Sequence, residues 1–366
     1  MSEHSMPPRQ DRRTFLKSIA GAAAAVAVPG AAFAQANQQV VLVASGGALA
    51  AAFKDNFFDA FTKATGIKVV FVPASDAEML TKVKAMSDAG KMEWDIVAAN
   101  LDQIAAFQQY FLPLDCKQFP HAATDGIVGA CDGYSVLKQL DGHLLAWSTK
   151  SYPAGSKQPQ SWADFWDVRA FPGPRSLPDH GTPWVPIAAA LMADGVPARD
   201  IKAPLDVDRA FKKLDQIKPH VKVWWKTGDQ SQQIVRDGEV AQIMMYSGRA
   251  LRSKSQGVPL DITWNQAIMA PGRWTIVKGA PNQKAAMQFL DFFLTRPEAH
   301  AAFTKQIFYD TANKRSVDFI AAADRPNSAL YGDNLSKTVQ LDYPLAAWLG
   351  PNHDKLLERW NAWIAK

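Results

Sequence analysis

The chain has 366 residues, of which 48% are hydrophobic and 20% charged, with a formal net charge of +5. It is too long for one small core, and its composition is that of a soluble globular protein with room for two lobes. No basic run marks a nucleic-acid surface, and after the leader no stretch holds the ~18 uninterrupted apolar residues of a membrane span, so neither partner is expected.

The leader is the first feature in chain order. "DRRTFLK" (11–17) carries Arg12-Arg13 followed by Phe-Leu-Lys, and the Ala-rich stretch after it ends in Ala32-Phe33-Ala34. This resembles a twin-arginine (Tat) signal peptide over 1–34 with an A-x-A cleavage site. Pro29 and Gly30 interrupt the stretch, which argues against a membrane anchor. The expected location is therefore the periplasm.

"VVLVA" (40–44) is a buried-strand run, and Ser45-Gly46-Gly47 leads from it into a helix with Phe53, Phe57, Phe58 and Phe61 on one face. A small-residue loop at a helix start suits an anion, and equally suits an ordinary turn. Gly66 stops the helix, "IKVVFVPA" is the next strand, "AEMLTKVKAMSDAG" the next helix and "WDIVAAN" a third strand. This βαβαβ rhythm predicts an α/β fold with a doubly wound parallel sheet, whose ligands sit beyond the carboxyl ends of strands. Those ends include Ser45-Gly46-Gly47 and Asn100.

Cys116 and Cys131 are the only cysteines, and in an exported protein an even pair is expected to be bridged. A second α/β unit spans roughly 150–270. Ser161 caps the helix in "SWADFWD", and the adjacent Trp224 and Trp225 of a strand must face opposite ways. A strand and two helices follow from "RWTIV", and the chain closes on the aromatic helix "HDKLLERWNAWIA".

The order of "FTKATGIKV", "WDIV", "SWADFW", "DGEVAQIMMYSGRA", "GVPLDITW" and "APNQKAAMQFLDFFLTRPE" resembles periplasmic solute-binding proteins of ABC importers, in the spermidine/putrescine-binding-like branch, across 40–366. The resemblance implies a two-lobe (type II) periplasmic binding protein fold with a doubly wound sheet in each lobe and a ligand cleft between them. Lobe one would be 38–147 plus 274–308 and lobe two 148–273 plus 309–366, with crossovers near Ala146-Trp147-Ser148, Gly272-Arg273-Trp274 and Phe308-Tyr309-Asp310. It implies capture of a small solute and delivery to permease subunits by a protein that is not an enzyme and carries no cofactor or metal. A monomer is expected.

Polyamine binders of this branch hold cationic ends with carboxylates and the alkyl chain with aromatics. Here the matching loop keeps Asp179 but has Pro183-Trp184 where a second acid is expected, and "APGRWT" places Arg273 beside another missing acid. The turn after "GEV" reads Tyr246-Ser247-Gly248-Arg249. Two lost acids and two gained arginines predict a carboxylate or phosphonate ligand, in which Arg249 and Arg273 act with the Ser45-Gly46-Gly47 amides. Asp179 would receive an amine if the ligand is zwitterionic, Asn100 would hydrogen-bond, and Trp147, Trp184, Tyr246 or Trp274 would stack on the ligand body. The bland readings are a helix cap for Asp179, surface or inter-lobe salt bridges for the arginines, core packing for most tryptophans and a structural role for His180. The alternatives are a polyamine binder, a ferric-ion binder or a periplasmic enzyme. The last is disfavoured by the absence of C-x-x-C, H-E-x-x-H and G-x-S-x-G motifs.

Overall fold

In the computed structural model, which describes residues 38–366, the alternating pattern becomes two sheets. The leader expected over 1–34 lies outside the described residues. Strands β1 (Gln39–Ala44), β2 (Lys68–Pro73), β3 (Ile96–Ala99) and β4 (Val136–Gln139) come first. Next are β5 (Gly142–Ser148), β6 (Arg175–Pro178), β7 (Val221–Trp225), β8 (Gln242–Tyr246) and β9 (Leu260–Met269), and then β10 (Gly272–Ile276) and β11 (Val339–Gln340). One sheet has the order β2-β1-β3-β10-β4 and the other β11-β9-β5-β8-β6-β7.

In the first sheet β1 pairs parallel with β2, from Gln39↔Lys68 to Ala44↔Pro73, and also parallel with β3. The apolar run of β1 is covered on both faces, as a parallel strand requires. Over it lies the phenylalanine helix, which runs from Ala48 to Thr65 through one π-turn at Lys54–Phe58 and ends on Gly66 at φ 74°. Its four phenylalanines are buried, and Phe53 and Phe57 meet Phe293 and Phe303 from the two helices that follow β10. In the second sheet β6 is parallel to β7 and β8, while β5 runs antiparallel to β8 and β9. Trp224 packs on Trp360 and Trp363 of the final helix (Tyr343–Ile364), and Trp225 turns to the other side.

The chain passes between the sheets earlier than expected. Residues 142–147, assigned above to lobe one, form β5 inside the second sheet, so the first passage is at Leu140-Asp141. The Ala146-Trp147-Ser148 crossover is corrected accordingly: the run "HLLAWS" is apolar enough to be an interior strand and is used as one. The second passage, Ala270-Pro271, leads directly into β10. The third is longer than expected. After Tyr309 the chain stays on the first sheet's side, where Ile127 N–H donates to Ala312 O (2.8 Å) and Lys314 N–H to Asp125 O (2.9 Å), and it joins the second sheet only at β11. The three passages are tied together. Leu140 N–H donates to Asp310 O (2.7 Å), and Asp141 Oδ1 accepts from Gly272 N–H (3.0 Å). Cys116 and Cys131 are bridged, with Cα atoms 5.8 Å apart. No described helix is long and apolar enough to cross a membrane.

Candidate ligand site at the junction of the two sheets

Antiparallel pairing of β5 with β8 sets His143 opposite Tyr246, at the end where β6, β7 and β8 present their carboxyl termini. A four-ring cluster forms there. His143 lies 4.2 Å from Tyr246 and 5.0 Å from His180, centroid to centroid, and His180 is 5.0 Å from Trp225. The two imidazoles share a hydrogen bond, Nε2 to Nε2 at 2.9 Å, so one donates and the other accepts. Burial holds both below the usual histidine range, which makes the pair neutral at pH 7.

Charged groups stand around these rings. Asp141 sits at the first passage, where burial pushes its carboxyl up to about 6 against the opposing effects of Lys138 and the Gly272 N–H. Burial pushes the Tyr246 phenol up to about 12; Asp141 adds to the rise and Arg249 opposes it. Tyr309, from the third passage, is raised by burial, and it too feels Asp141 and Arg249 in opposite senses. Asp141, Tyr246, Tyr309 and Arg249 are deep in the protein or ion-paired, yet all four keep some accessible surface. Glycines let two of these side chains pack against the backbone. A Cβ at Gly248 would stand 2.6 Å from the Tyr309 ring, and one at Gly228 would collide with the Arg249 guanidinium.

Arg249 pairs with Asp229 and donates to Gln232 Oε1 (2.8 Å). The Asp229 side chain is 86% exposed, so the pair is weak and the guanidinium is open to competition from a ligand carboxylate. Asp179 is half-buried. Its Oδ1 accepts from Trp360 Nε1–H (2.9 Å), and its Oδ2 lies 3.8 Å from Lys226 Nζ. It does not cap the next helix, whose N-cap is Pro183.

Several expected ligand contacts are spent within the fold. Arg273 is 4% exposed: its Nε lies 3.0 Å from Asp132 Oδ2 and also donates to Ser135 Oγ, while Nη2 donates to Gly129 O (2.9 Å). Both nitrogens that bond here, Nε and Nη2, are engaged by the first sheet's own loops, and with the residue buried this corrects the expectation that it anchors an anion. Trp147 is buried at the far end of β5 from the junction, opposite Gln242, so its ring is core. Trp184 is buried in the first turn of its helix, and Trp274 is buried mid-strand with its ring edge-on to Phe53 (5.3 Å), so neither presents a stacking face. Asn100 is a helix N-cap whose N–H donates to Gln103 Oε1 (2.9 Å). Ser45, Gly46 and Gly47 form an exposed loop at the end of β1, with Gly47 at φ 78°. Ser247 is buried next to Tyr246, and among the described residues its Oγ has no partner.

The structure thus brings Tyr246, Ser247 and Arg249 to one place and adds Gln139, Asp141, His143, Trp225 and Tyr309, which sequence reasoning did not assign to the site. The available signal was "QLDGH", an acid and a glycine between two apolar runs at a sheet-to-sheet passage. An open groove of about 900 Å³ lies elsewhere, beside the disulfide, and shares no lining residue with the ring cluster. Among the described residues, no group of three or more His, Cys, Asp or Glu is arranged to hold a metal.

Residues 56–328 match the family model described as bacterial extracellular solute-binding protein. The gamma-aminobutyric acid-binding protein of Pseudomonas aeruginosa is 34% identical over 345 residues, covering 92% of this chain and 94% of that protein. The spermidine/putrescine-binding periplasmic protein of Escherichia coli is 22% identical over 297 residues, 75% and 78% of the two chains. Among solved structures, the open, unliganded binding protein AttC of Agrobacterium tumefaciens superposes with a TM-score of 0.79 at 35% identity, covering 89% of this chain and 99% of that one. The Atu4243-GABA receptor gives a TM-score of 0.75 at 30% identity, covering 90% and 98%.

Proposed function

The chain belongs to the bacterial extracellular solute-binding proteins and is the solute-binding subunit of an ABC importer, and from that premise we propose that its ligand is a short zwitterion bearing one carboxylate and one ammonium group. The observation that carries this reading is the charge balance around the ring cluster. Asp141 faces Lys138 and Arg249 faces Asp229, with a neutral histidine pair beside them. Such a site offers both signs and no net charge. A diamine would need an excess of acids and a dianion an excess of cations, and either mismatch in a dry cleft costs several kcal/mol. Arg249 takes the carboxylate, Asp141 takes the ammonium, and Tyr246 and Tyr309 line the path between them. The similarity to a gamma-aminobutyric acid-binding protein supports the same ligand class.

The protein is exported through the Arg12-Arg13 leader, acts as a monomer and carries out no chemistry on its ligand. A polyamine ligand is the second reading, favoured by the related spermidine/putrescine binders, and the pairing of Asp141 with Lys138 and of Asp229 with Arg249 weighs against it. Isothermal titration with gamma-aminobutyric acid, glutarate, butyrate and putrescine decides between them. The amino acid binds most tightly, and Arg249→Ala weakens it by about 10- to 100-fold, the worth of one charge-assisted hydrogen bond. Binding of putrescine alone would overturn the proposal.

A further inference from the structure

The short helix that follows β3, Leu101–Ala106, is held by both sheets. Ile104 is fully buried in the cluster that contains β1, β3 and the four phenylalanines. Leu101 joins the second sheet's cluster instead: it is 6% exposed and shares that cluster with Leu345, Ala346 and Leu349 of the final helix. At Gly350 the two helices are in contact, for a Cβ there would stand 3.7 Å from the Ala106 Cβ and 3.9 Å from Asp102 O. Tyr343, in the first turn of the final helix, is near enough to Tyr134, Asp132 and Gln108 for all three to act on its phenol. The second half of the same helix is rooted on the second sheet's side. Trp360 Nε1–H donates to Asp179 Oδ1 (2.9 Å), Trp363 Nε1–H donates to Asp215 Oδ1 (2.7 Å), and both rings pack on Trp224. Between the two halves stands Pro351, inside the helix. A proline removes one rung of the hydrogen-bond ladder and marks where a helix bends. Any rotation of the two sheets about the three passages therefore either draws Leu101 out of its seat or bends the helix at Pro351.

We propose that the first half of the final helix is a strap between the two sheets, seated on Leu101 and hinged at Pro351, and that this seat is unmade and remade as the solute enters and leaves. The reading holds whichever solute is bound, and so goes beyond the zwitterion proposal. Withdrawing a buried leucine from a contact between two moving bodies costs free energy, so the strap sets how readily one arrangement passes into the other.

The two native cysteines are bridged, so an introduced thiol is the only free one. Maleimide labelling of Leu101→Cys is compared with that of Leu214→Cys, a leucine buried in the same cluster on the helix Val207–Ile217. Local lifting of the strap should label the Leu101→Cys thiol at least ~10-fold faster. The double variant Ala106→Cys/Gly350→Cys, whose Cβ separation falls within the ~3.5–4.5 Å span of a disulfide, is then oxidised to fix the seat. Oxidation should change the affinity or the association rate for gamma-aminobutyric acid at least ~10-fold against either single variant. Equal labelling of the two leucine variants, or wild-type affinity and association rate in the oxidised pair, would overturn the strap and leave the zwitterion reading standing. Failure of wild type to bind gamma-aminobutyric acid would overturn that reading instead, and the labelling comparison would then decide the strap.

Discussion

Replacing Arg273 by methionine keeps most of the side chain's bulk and removes its charge. Read as an anion anchor, Arg273 would cost affinity and little stability; read from its contacts, the reverse holds. Its guanidinium is bound to Asp132, Ser135 and the Gly129 carbonyl, and only 4% of the residue is exposed. Breaking a buried pair costs about 3–5 kcal/mol, and the Asp132 side chain, 31% exposed, is partly rescued by water, which places the loss at the lower end, about 3 kcal/mol. A folded unit of about 330 residues has an unfolding entropy of roughly 0.7 kcal/mol/K, so Arg273→Met should lower Tm by about 4 °C. Calorimetric unfolding reads that shift, and titration of the folded variant should give an unchanged Kd, within about twofold. A Tm equal to wild type together with a tenfold weaker Kd would refute the argument and return Arg273 to the ligand.

Two further predictions concern the first passage and the disulfide. Asp141 stands at about 6 in the free protein and must be ionised to hold an ammonium group, so affinity should rise with pH up to about 6 and level off above it. At pH 6, titrations in buffers of different ionisation enthalpy should show proton release on binding, and Asp141→Asn should abolish both effects. Removing the Cys116–Cys131 bridge, which spans 15 residues, should cost about 3 kcal/mol and about 4 °C in Tm while leaving Kd unchanged; a large change in Kd would place the disulfide loop in the site.

The parallel part of the first sheet could be read from the chain because its signals are local. β1, β2 and β3 alternate with two helices, and the four phenylalanines mark the buried face directly. The adjacent Trp224 and Trp225 divided between two sides for an equally local reason, the period of a strand. The sheet-to-sheet passages were less legible. "HLLAWS" reads as an apolar strand whichever sheet receives it, and the choice depends on its partners β8 and β9, about a hundred residues away in sequence.

The ligand region divides along the same line. Tyr246-Ser247-Gly248-Arg249 follows a strand and opens a helix, so its place at a carboxyl edge follows from the sequence. Arg273 occupies a comparable place at the start of β10, and nothing local says that Asp132 and Ser135, some 140 residues earlier, have already claimed it. Asp141 and Tyr309 look like passage residues until two separate crossings of the chain bring them to the same tyrosine. Sequence alone determined the α/β class, because periodicity and residue chemistry are written residue by residue. Which charges are spent inside the fold and which remain for a ligand was decided only by tertiary structure, because a charge is free or paired according to neighbours that the chain brings in from far away.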